Sequence, residues 1–373
     1  MIWQLVASGV IFLALLVYLW YLRLFSQGLK SEHKVFKNIK PTVSVVIAAR
    51  NEEQILPRLL TILANQSYPQ DKYEVIVAND DSTDETAKIV QEFAQKWSNI
   101  RLLNVKNRLQ VASPKKNALS QAIEMAENEI ILSTDADCFV GKYWIESMAR
   151  EYTDADVKMV CGFSQTRQGK WKASPLVRKF EHFDFIAMFS AAAGAMGSKK
   201  YFSCSGQNIS YRKQDFLDVG GFSKIWHLIS GDDVNLMQLF RQQKKKIIFC
   251  KSHHSFATTQ PIGSWKQLFN QRSRWASNMK WQLRLNPEFF VYLSATYLLT
   301  VLVYLLFLVN WWLPLFIVAI RMILEIRFLK SSFDLFKLDK KLLKFYPVWF
   351  VIQPVYMVLI SCLGALNIFS WKK

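Results

Sequence analysis

The sequence predicts an α/β domain with a doubly wound, mostly parallel sheet, placed between transmembrane helices near the two ends of the chain. Two observations support this fold class. Uncharged apolar runs long enough to cross a bilayer occur near both termini. Between them, over residues 41–260, short β-branched runs alternate with stretches in which apolar residues recur at helical spacing.

The first predicted membrane segment is residues 1–25, which contain no charged residue between positions 2 and 22. A helix of about 20 apolar residues crosses roughly 30 Å of hydrocarbon. The segment lacks the positive start and the small-residue cleavage site of a signal peptide, so we interpret it as a retained anchor. Basic residues follow from Arg23 onward. The positive-inside rule therefore places the α/β domain in the cytoplasm, most simply at the cell inner membrane.

The α/β domain is predicted for residues 41–260. In a doubly wound sheet, ligands bind beyond the carboxyl ends of the strands, so polar residues at those positions are candidates for a site. The predicted strands are residues 43–49, 73–78, 100–105 and 129–133, and the predicted helices are residues 52–64, 83–97 and 116–126.

Three more membrane segments are predicted toward the C-terminus. Trp311, Trp312 and Pro314 indicate an interfacial turn between the segments at residues 289–309 and 313–326. Whether the middle segment crosses fully or re-enters is left open. The segments are residues 289–309, 313–326 and 346–369, within a transmembrane hairpin at 289–329 and a last transmembrane helix at 345–370.

Charged residues near the third segment agree with this arrangement. Arg321, Glu325 and Arg327 lie toward its far end, where they are expected to snorkel or to pair. The following loop, residues 330–344, is rich in lysine. Four spans place this loop and the basic region after Arg23 on one side of the membrane.

Composition excludes several classes of function. The formal net charge of +18 suggests an anionic partner, but no nucleic-acid-binding motif is found, and much of the excess charge flanks the apolar segments, where membrane lipids are the expected partner. The five cysteines contain no Cys-x-x-Cys pair, which argues against a zinc site and fits a reducing compartment. Neither a G-x-G-x-x-G nor a Walker loop occurs, which argues against a dinucleotide oxidoreductase or a P-loop ATPase.

Asp135 and Asp137 follow the fourth predicted strand, two positions apart. Strand alternation would direct both side chains to one side, with Ala136 pointing away. A divalent cation such as Mg²⁺ or Mn²⁺ would relieve the repulsion between two such carboxylates and would take further ligands from substrate phosphates. The alternative is a surface turn with two solvated carboxylates.

Two other acidic positions have a structural and a functional interpretation. Asp80 ends the second predicted strand and could accept hydrogen bonds from a nucleobase or ribose, while Ser82 or Thr83 would cap the next helix. Asp233, which follows Gly231 and Asp232, could cap a helix or act as a general base for an acceptor hydroxyl.

An amphipathic stretch is predicted at residues 261–286, with an apolar stripe suited to the membrane surface. It contains Gln271, Arg274 and Trp275. A guanidinium suits phosphate oxygens and an indole suits the face of a sugar.

Together these motifs resemble the family 2 inverting glycosyltransferases, which have the GT-A fold. Within that family the chain is similar to the membrane-bound branch that contains ceramide glucosyltransferase and the hyaluronan, chitin and poly-N-acetylglucosamine synthases. The resemblance covers about residues 41–285, and the order of the motifs is more specific than any one of them. The motifs are residues 43–52, residues 79–84, Lys115, Asp135 with Asp137, residues 231–233, and Gln271 with Arg274 and Trp275.

The resemblance implies a role for each position. Ala49, Glu52 and Asp80 would bind the nucleoside, Lys115 the donor diphosphate, and Asp135 the sugar nucleotide. Asp137 would be the metal ligand and Asp233 the catalytic base. Asp232, Gln271, Arg274 and Trp275 would close over diphosphate and acceptor, and residues 204–207 would lie near the acceptor.

Two departures from the family pattern occur. The usual Asp-Asp-Gly is Asn79-Asp80-Asp81, so the turn is expected to differ, and the usual Glu-Asp pair is Asp232-Asp233, which keeps the presumed base and shortens its neighbour. The function implied is transfer of a sugar from a nucleotide-sugar donor, most simply a UDP-sugar, to a lipid or growing glycan, with inversion to a β-linkage. Processive polysaccharide synthesis and an inactive sugar-binding protein remain as alternatives.

Overall fold

The computed structural model describes residues 2–33, 35, 40–106, 112–308 and 311–370, apart from the side chains of residues 2–7 and 280. These residues form two compact units. The helical unit comprises Met1–Glu32, Ser190–Phe202 and Ser264–Lys373, and the α/β unit comprises His33–Phe189 and Ser203–Gly263.

The elements are numbered in chain order. The α-helices of the described residues are α1 (Ile2–Leu29), α2 (Leu56–Ala64), α3 (Thr86–Lys96), α4 (Pro114–Met125), α5 (Trp144–Ala149), α6 (Leu176–Gly197), α7 (Lys213–Asp218), α8 (Val234–Gln242), α9 (Trp265–Ala276), α10 (Met279–Leu285), α11 (Pro287–Leu306), α12 (Trp312–Phe336) and α13 (Tyr346–Ala365). The strands are β1 (Val43–Ala49), β2 (Tyr73–Asn79), β3 (Ile100–Asn104), β4 (Ile130–Ser133), β5 (Phe139–Val140), β6 (Val157–Cys161), β7 (Ser164–Thr166), β8 (Ile209–Arg212), β9 (Lys246–Phe249) and β10 (Ala257–Thr259).

The α/β unit contains a seven-stranded sheet of order β3-β2-β1-β4-β8-β6-β9. Its first four strands are parallel, β8 runs antiparallel to both of its neighbours, and β6 pairs in parallel with β9. A smaller sheet has the order β5-β10-β7. The predicted α/β fold with a mostly parallel sheet is therefore confirmed.

Burial of both sheet faces explains the apolar sequence of the first strands. Val45 and Ile47 of β1 belong to the same core cluster as Leu59 and Leu63 of α2. Because strand side chains alternate, Val46 points to the other face, and it is also fully buried. The crossover helix between β3 and β4, α4, contacts β1 and β2. Strands covered on both faces leave only their ends free for polar residues.

Two helices begin later than the sequence predicts. Residues 52–55 form a turn in which the N–H groups of Ile55 and Leu56 donate to the carbonyl of Glu52, and α2 begins only where Pro57 supplies a helical φ. Helix α3 begins at Thr86 because residues 82–85 bind the neighbouring loop instead of continuing the helix. Sequence periodicity alone does not detect these loop contacts.

Within the helical unit, glycines allow helices to approach closely. A Cβ on Gly28 of α1 would overlap the carbonyl oxygen of Gly194 on α6, and one on Gly197 would overlap the carbonyl oxygen of Gly28. Small residues at a helix crossing let the backbones touch, as is common among membrane helices.

Three helical segments of the described chain are long and apolar enough to cross a membrane, namely Ser8–Leu29, Pro287–Leu306 and Lys340–Ala365. The segment predicted at residues 313–326 is not among them, because its helix, α12, extends to Phe336 and carries several charges. Two of those charges, Arg321 and Glu325, are buried and pair with each other at 3.2 Å.

Candidate active site

The carboxyl ends of β1, β2 and β4 place the predicted donor residues along one edge of the sheet. Ala49, the last residue of β1, lies opposite Asn79, the last residue of β2, and its carbonyl accepts the N–H of Asp80 at 2.9 Å. Strands β2 and β4 flank β1 and both run parallel to it, so their carboxyl ends point to the same edge of the sheet. Asp80 and Asp135 therefore follow strand ends on the same edge, on either side of β1.

The loops after β1 and β2 are held together by hydrogen bonds. The Asn51 carboxamide oxygen accepts the N–H of Thr83 at 2.8 Å, and the Ser82 hydroxyl accepts the N–H of Asn51 at 3.1 Å. The predicted helix-capping role of Ser82 or Thr83 is therefore wrong, since both residues bond to the neighbouring loop instead. Glu52 is fixed by the same set of loop contacts, since its N–H donates to the Thr86 hydroxyl at 2.8 Å.

Asp80 is a buried carboxylate in this region, with 8% of its surface exposed. Burial raises the pKa of its carboxyl above the ordinary value, Arg50 opposes this rise, and Asp81 adds to it. Asp81 itself adopts a left-handed backbone with φ of 54°. The departure from Asp-Asp-Gly is thus accommodated by an acidic residue in a conformation that favours glycine.

Asp135 and Asp137 converge through a turn and not through strand alternation. Strand β4 ends at Ser133, and the N–H of Cys138 donates to the carbonyl of Asp135 at 3.0 Å, which closes the turn. The predicted pleat geometry is wrong because both residues lie beyond the strand. Their carboxylate oxygens and the Cys138 sulfur nevertheless lie within 4.8 Å of one another.

The donor set of this turn fits a hard divalent cation. Burial, followed by the charge of Asp135, raises the pKa of Asp137 to about 6. A cation between the carboxylates would remove that repulsion. Cys138 is an unsuitable third ligand because Mg²⁺ and Mn²⁺ prefer oxygen ligands to sulfur, and its thiol instead donates to Oδ1 of Asp137 at 3.7 Å. The two carboxylates are therefore the candidate metal ligands.

Lys115 joins these carboxylates to a second acidic pair. Its Nζ lies 2.7 Å from Oδ1 of Asp135 and 2.9 Å from Oδ2 of Asp232. Burial disfavours the charge of Lys115, but the two carboxylates outweigh this effect and hold its pKa well above the ordinary value. Lys115 therefore remains a cation at the centre of the cluster.

Asp233 is the N-cap residue of α8 and also points toward this cluster. Its Oδ1 accepts the N–H of Val234 at 2.6 Å, and its Oδ2 accepts the N–H of Gly206 at 2.7 Å. Burial, followed by the charge of Asp232, raises the pKa of Asp233 to about 6, whereas Lys115 lowers it. Capping and base chemistry are compatible here, because a carboxylate held by two amides still has lone pairs available.

Gly206 also belongs to the site, although the sequence does not indicate which residues it contacts. A Cβ at this position would lie 3.0 Å from Oδ2 of Asp232 and 3.2 Å from Nζ of Lys115. The segment that contains Gly206 is anchored by the Thr134 hydroxyl, which donates to the carbonyl of Gln207 at 2.9 Å. Residues 204–207, which the resemblance places near the acceptor, thus lie directly against the acidic pair.

Lys116 is a second residue that sequence reasoning missed. It is fully buried, and its Nζ donates to the carbonyls of Ile225, Leu228 and Ser230 at 3.1, 2.6 and 3.2 Å. Burial lowers its pKa to about 8, although Asp232 and Asp233 oppose this effect. Lys116 holds the segment that leads into the Asp232-Asp233 pair. Its neighbour Lys115 is the one that enters the cluster.

Gln271, Arg274 and Trp275 lie on α9 of the helical unit, so their closing role over a diphosphate stays a prediction. The guanidinium of Arg272 lies 4.1 Å from the centroid of the Trp275 ring. The predicted amphipathic stretch is divided into α9 and α10, since the hydroxyl of Ser277 bonds back to the carbonyl of Arg274 at 2.8 Å and ends the first helix.

A known protein family matches most of the α/β unit. The family described as "Glycosyl transferase family 2" matches residues 44–220. A β-monoglucosyldiacylglycerol synthase of Nostoc sp. is 27% identical over 242 residues, which are 63% of this chain and 48% of the relative. The probable glycosyltransferase YdaM of Bacillus subtilis is 28% identical over 263 residues, which are 67% of this chain and 58% of the relative.

A solved structure shares the fold over almost the whole chain. It is the mannosyltransferase PcManGT from Pyrobaculum calidifontis in complex with GDP-Man and Mn²⁺, with a TM-score of 0.64, 18% identity and 98% coverage of both chains. The predicted GT-A fold is thereby confirmed. The chain spans about half the length of the curated relative from Nostoc.

Proposed function

Residues 44–220 of this chain are a family 2 glycosyl transferase domain, and we propose that the chain is a membrane-bound inverting glycosyltransferase. It would transfer a sugar from a nucleoside-diphosphate sugar to a lipid or membrane-associated glycan. The observation that supports this proposal most strongly is the cluster in which Lys115 bridges Asp135 and Asp232 beside the partly buried Asp233.

The donor would occupy the carboxyl edge of the sheet. Asp80, with Ala49 and Glu52 beside it, would bind the base and ribose, and Lys115 would neutralise a diphosphate oxygen. Asp137, together with Asp135, would hold Mg²⁺ or Mn²⁺, which when bound neutralises the charge that develops as the glycosidic bond breaks. The mannosyltransferase of the same fold was solved with GDP-Man and Mn²⁺, which supports a nucleotide-sugar donor and a divalent metal.

Asp233 would act as the general base. Its two amide hydrogen bonds fix the carboxylate, and its pKa of about 6 leaves it mostly ionised at neutral pH while keeping it basic enough to take a proton. As the acceptor hydroxyl attacks the anomeric carbon, its proton passes to Asp233 and the nucleoside diphosphate leaves from the opposite face. A single displacement converts an α-linked donor into a β-linked product.

A lipid acceptor is favoured over a growing polymer. The Nostoc relative is named for a glucosyl diacylglycerol product, and the α/β unit is inserted in the chain between helices long enough to cross a membrane. We infer that the chain lies in the membrane, with this unit in the cytoplasm, because basic residues follow the first span. Gln271, Arg274, Trp275 and Asp232 would close over diphosphate and acceptor.

A donor screen tests the function. The full chain, reconstituted in bilayer discs with diacylglycerol and a polyprenyl phosphate, is incubated with radiolabelled UDP- and GDP-sugars and Mn²⁺. We expect one donor to label the lipid-extractable fraction, with a product mass increased by one sugar. Label retained in a high-molecular-weight polymer would assign the processive reaction instead. Absence of label from every donor, with a correctly folded protein, would contradict the enzyme proposal.

A further inference from the structure

A cavity of the α/β unit that the proposed transfer reaction does not use is lined by basic side chains. Its walls include Arg167, Gln168, Lys170, Ser174 and Arg178, and we refer to it as the basic cavity. Residues 167–179 carry five lysine or arginine residues and no aspartate or glutamate. A segment of a folded domain that carries only positive charges indicates an anionic ligand more strongly than the overall charge of the chain does.

The walls of the basic cavity are fixed by backbone contacts. Strand β7 ends at Thr166, and the N–H of Arg167 donates to the carbonyl of Thr259 at 2.7 Å. The chain then makes a short 3₁₀ turn at Trp171–Ala173 before α6 begins. On the opposite wall, Nε of Arg178 donates to the carbonyl of Ile262 at 3.3 Å. The cavity is therefore part of the folded framework.

The charges that line this cavity are not neutralised within the part of the chain that the structure describes. Arg167, Lys170 and Arg178 form no ion pair with any described residue. Glu181, the next acid along the chain, is 1% exposed and accepts the N–H of Ile262 at 2.8 Å. The guanidinium of Arg167 lies 5.5 Å from the ring centroid of Phe139, a contact that orients the group without using its N–H donors.

Gln168 supplies an independent indication of a ligand. Both its side-chain nitrogen and its side-chain oxygen are buried, and neither has a hydrogen-bond partner among the described residues. A buried amide without partners is unfavourable, so a ligand that satisfies it gains affinity. An oxygen-rich anion that also carries or adjoins a hydroxyl group could use both atoms.

The start of α6 adds to the attraction for an anion. The helix is 22 residues long and begins at Leu176, directly after Ser174 and Pro175 of the cavity wall. The first N–H groups of a helix have no partner within it and carry the positive end of its dipole. Together with the basic side chains and Gln168, they form a site suited to phosphate oxygens.

We propose that the basic cavity binds the phosphate group of an anionic lipid. Arg167, Lys170 and Arg178 would pair with the phosphate oxygens, and the Gln168 amide would bond to the phosphate or to an adjoining hydroxyl. A lipid is the favoured source because the α/β unit lies in the chain between Ser8–Leu29 and Pro287–Leu306, which are long and apolar enough to cross a membrane. Free inorganic phosphate has the same chemistry as the phosphate group of a lipid, and the experiment distinguishes the two ligands. The binding does not depend on the proposed sugar transfer.

Binding to the purified full chain in detergent, without any sugar donor, tests this proposal. The probes are dioctanoyl phosphatidic acid, inorganic phosphate and uncharged dioctanoyl glycerol, each measured by isothermal titration calorimetry. The variants are Arg167→Gln with Arg178→Gln, and separately Gln168→Leu, which leaves the charge unchanged. Lys72→Gln with Lys96→Gln is the matched control, since it removes the same charge directly before β2 and at the end of α3, outside the basic cavity.

We expect phosphatidic acid to bind and dioctanoyl glycerol not to bind. The double arginine variant should weaken binding by about ten-fold or more and Gln168→Leu by several-fold, while the lysine control stays within about two-fold of the unmodified chain. Inorganic phosphate bound as tightly, with the same variant dependence, would support a phosphate site but contradict the lipid source. Equal weakening by the arginine variant and the lysine control, or equal binding of dioctanoyl glycerol, would overturn the proposal. Because no donor is present, loss of sugar transfer and loss of lipid binding are separate results.

Discussion

The backbone N–H of Gly206 donates a 2.7 Å hydrogen bond to Oδ2 of Asp233. This contact joins the segment before β8 to the start of α8, two parts of the chain that are 27 positions apart. It holds the proposed base in one orientation, with Asp232 and Lys115 packed against the same glycine.

Gly206→Ala should impair catalysis. The added Cβ would lie 3.0 Å from Asp232 and 3.2 Å from Lys115, so these side chains or the loop must shift. Such a shift of Asp232, Lys115 or the loop is expected to lower kcat by about 10- to 100-fold. Steady-state transfer rates measure the effect. Gly141→Ala is the control, because its nearest heavy atom lies at 3.8 Å; equal rates for both variants would contradict the role given to Gly206.

Transfer should depend on pH through Asp233. Burial and Asp232 raise its pKa to about 6, and a base must be ionised to accept a proton, so kcat/KM should rise as pH increases through about 6. At pH 5 the value should be roughly ten-fold below its plateau at pH 7.5. Rates measured from pH 5 to 8 at saturating metal test this expectation. A flat profile over that range would exclude Asp233 as the titrating base.

Asp137→Asn should change the metal requirement. Removing one of two adjacent carboxylates lowers the charge available to a divalent cation, so the Mn²⁺ concentration for half-maximal transfer should rise by about ten-fold or more. Chelation should abolish transfer by the unmodified chain, and added Mn²⁺ should restore it. Asp71→Asn, an exposed position on the turn before β2, should leave the titration unchanged. Identical Mn²⁺ curves for Asp137→Asn and the unmodified chain would contradict the metal assignment.

Glu325→Leu should destabilise the helical unit. Glu325 accepts hydrogen bonds from Tyr18 at 2.6 Å and Tyr346 at 2.8 Å and pairs with Arg321, so its removal leaves a buried guanidinium without its carboxylate. Loss of one partner of a buried pair costs about 3–5 kcal/mol. Thermal unfolding in detergent should show a clearly lower Tm. Combining Arg321→Met with Glu325→Leu should recover much of the loss, and failure to do so would show that the pair is not the source of the effect.

Much of the sheet and its ligand edge could be predicted from the sequence because their signals are local. The β-branched run of β1 occupies a few consecutive positions. The acidic residues directly after β2 form a second such local group, and those directly after β4 form a third. The sequence predicts the convergence of Asp135 and Asp137 through strand alternation, whereas the structure achieves it through a turn closed by Cys138. Local patterns identify which residues meet more readily than the backbone path that brings them together.

Contacts between distant positions could not be predicted in this way. Lys116 bonds to carbonyls 109 to 114 positions away, so nothing near it in the sequence distinguishes its structural role from the site role of Lys115. The loop contacts of Asn51 with Thr83 span 32 positions, and they delay the start of α3. Pairing of Arg321 with Glu325 is one of two outcomes that the sequence allows, and only packing decides between pairing and snorkelling.

The most direct test of Asp233 as the catalytic base is to measure single-turnover sugar transfer by Asp233→Asn. Donor binding is measured on the same preparation. The replacement keeps the shape of the side chain, removes its ability to accept a proton, and leaves one of the N–H groups of Val234 and Gly206 without its acceptor. We predict donor affinity within about three-fold of the unmodified chain and a transfer step slower by about a thousand-fold or more. Transfer at the unmodified rate, with the donor bound normally, would contradict the assignment of Asp233 as the base and with it the proposed mechanism.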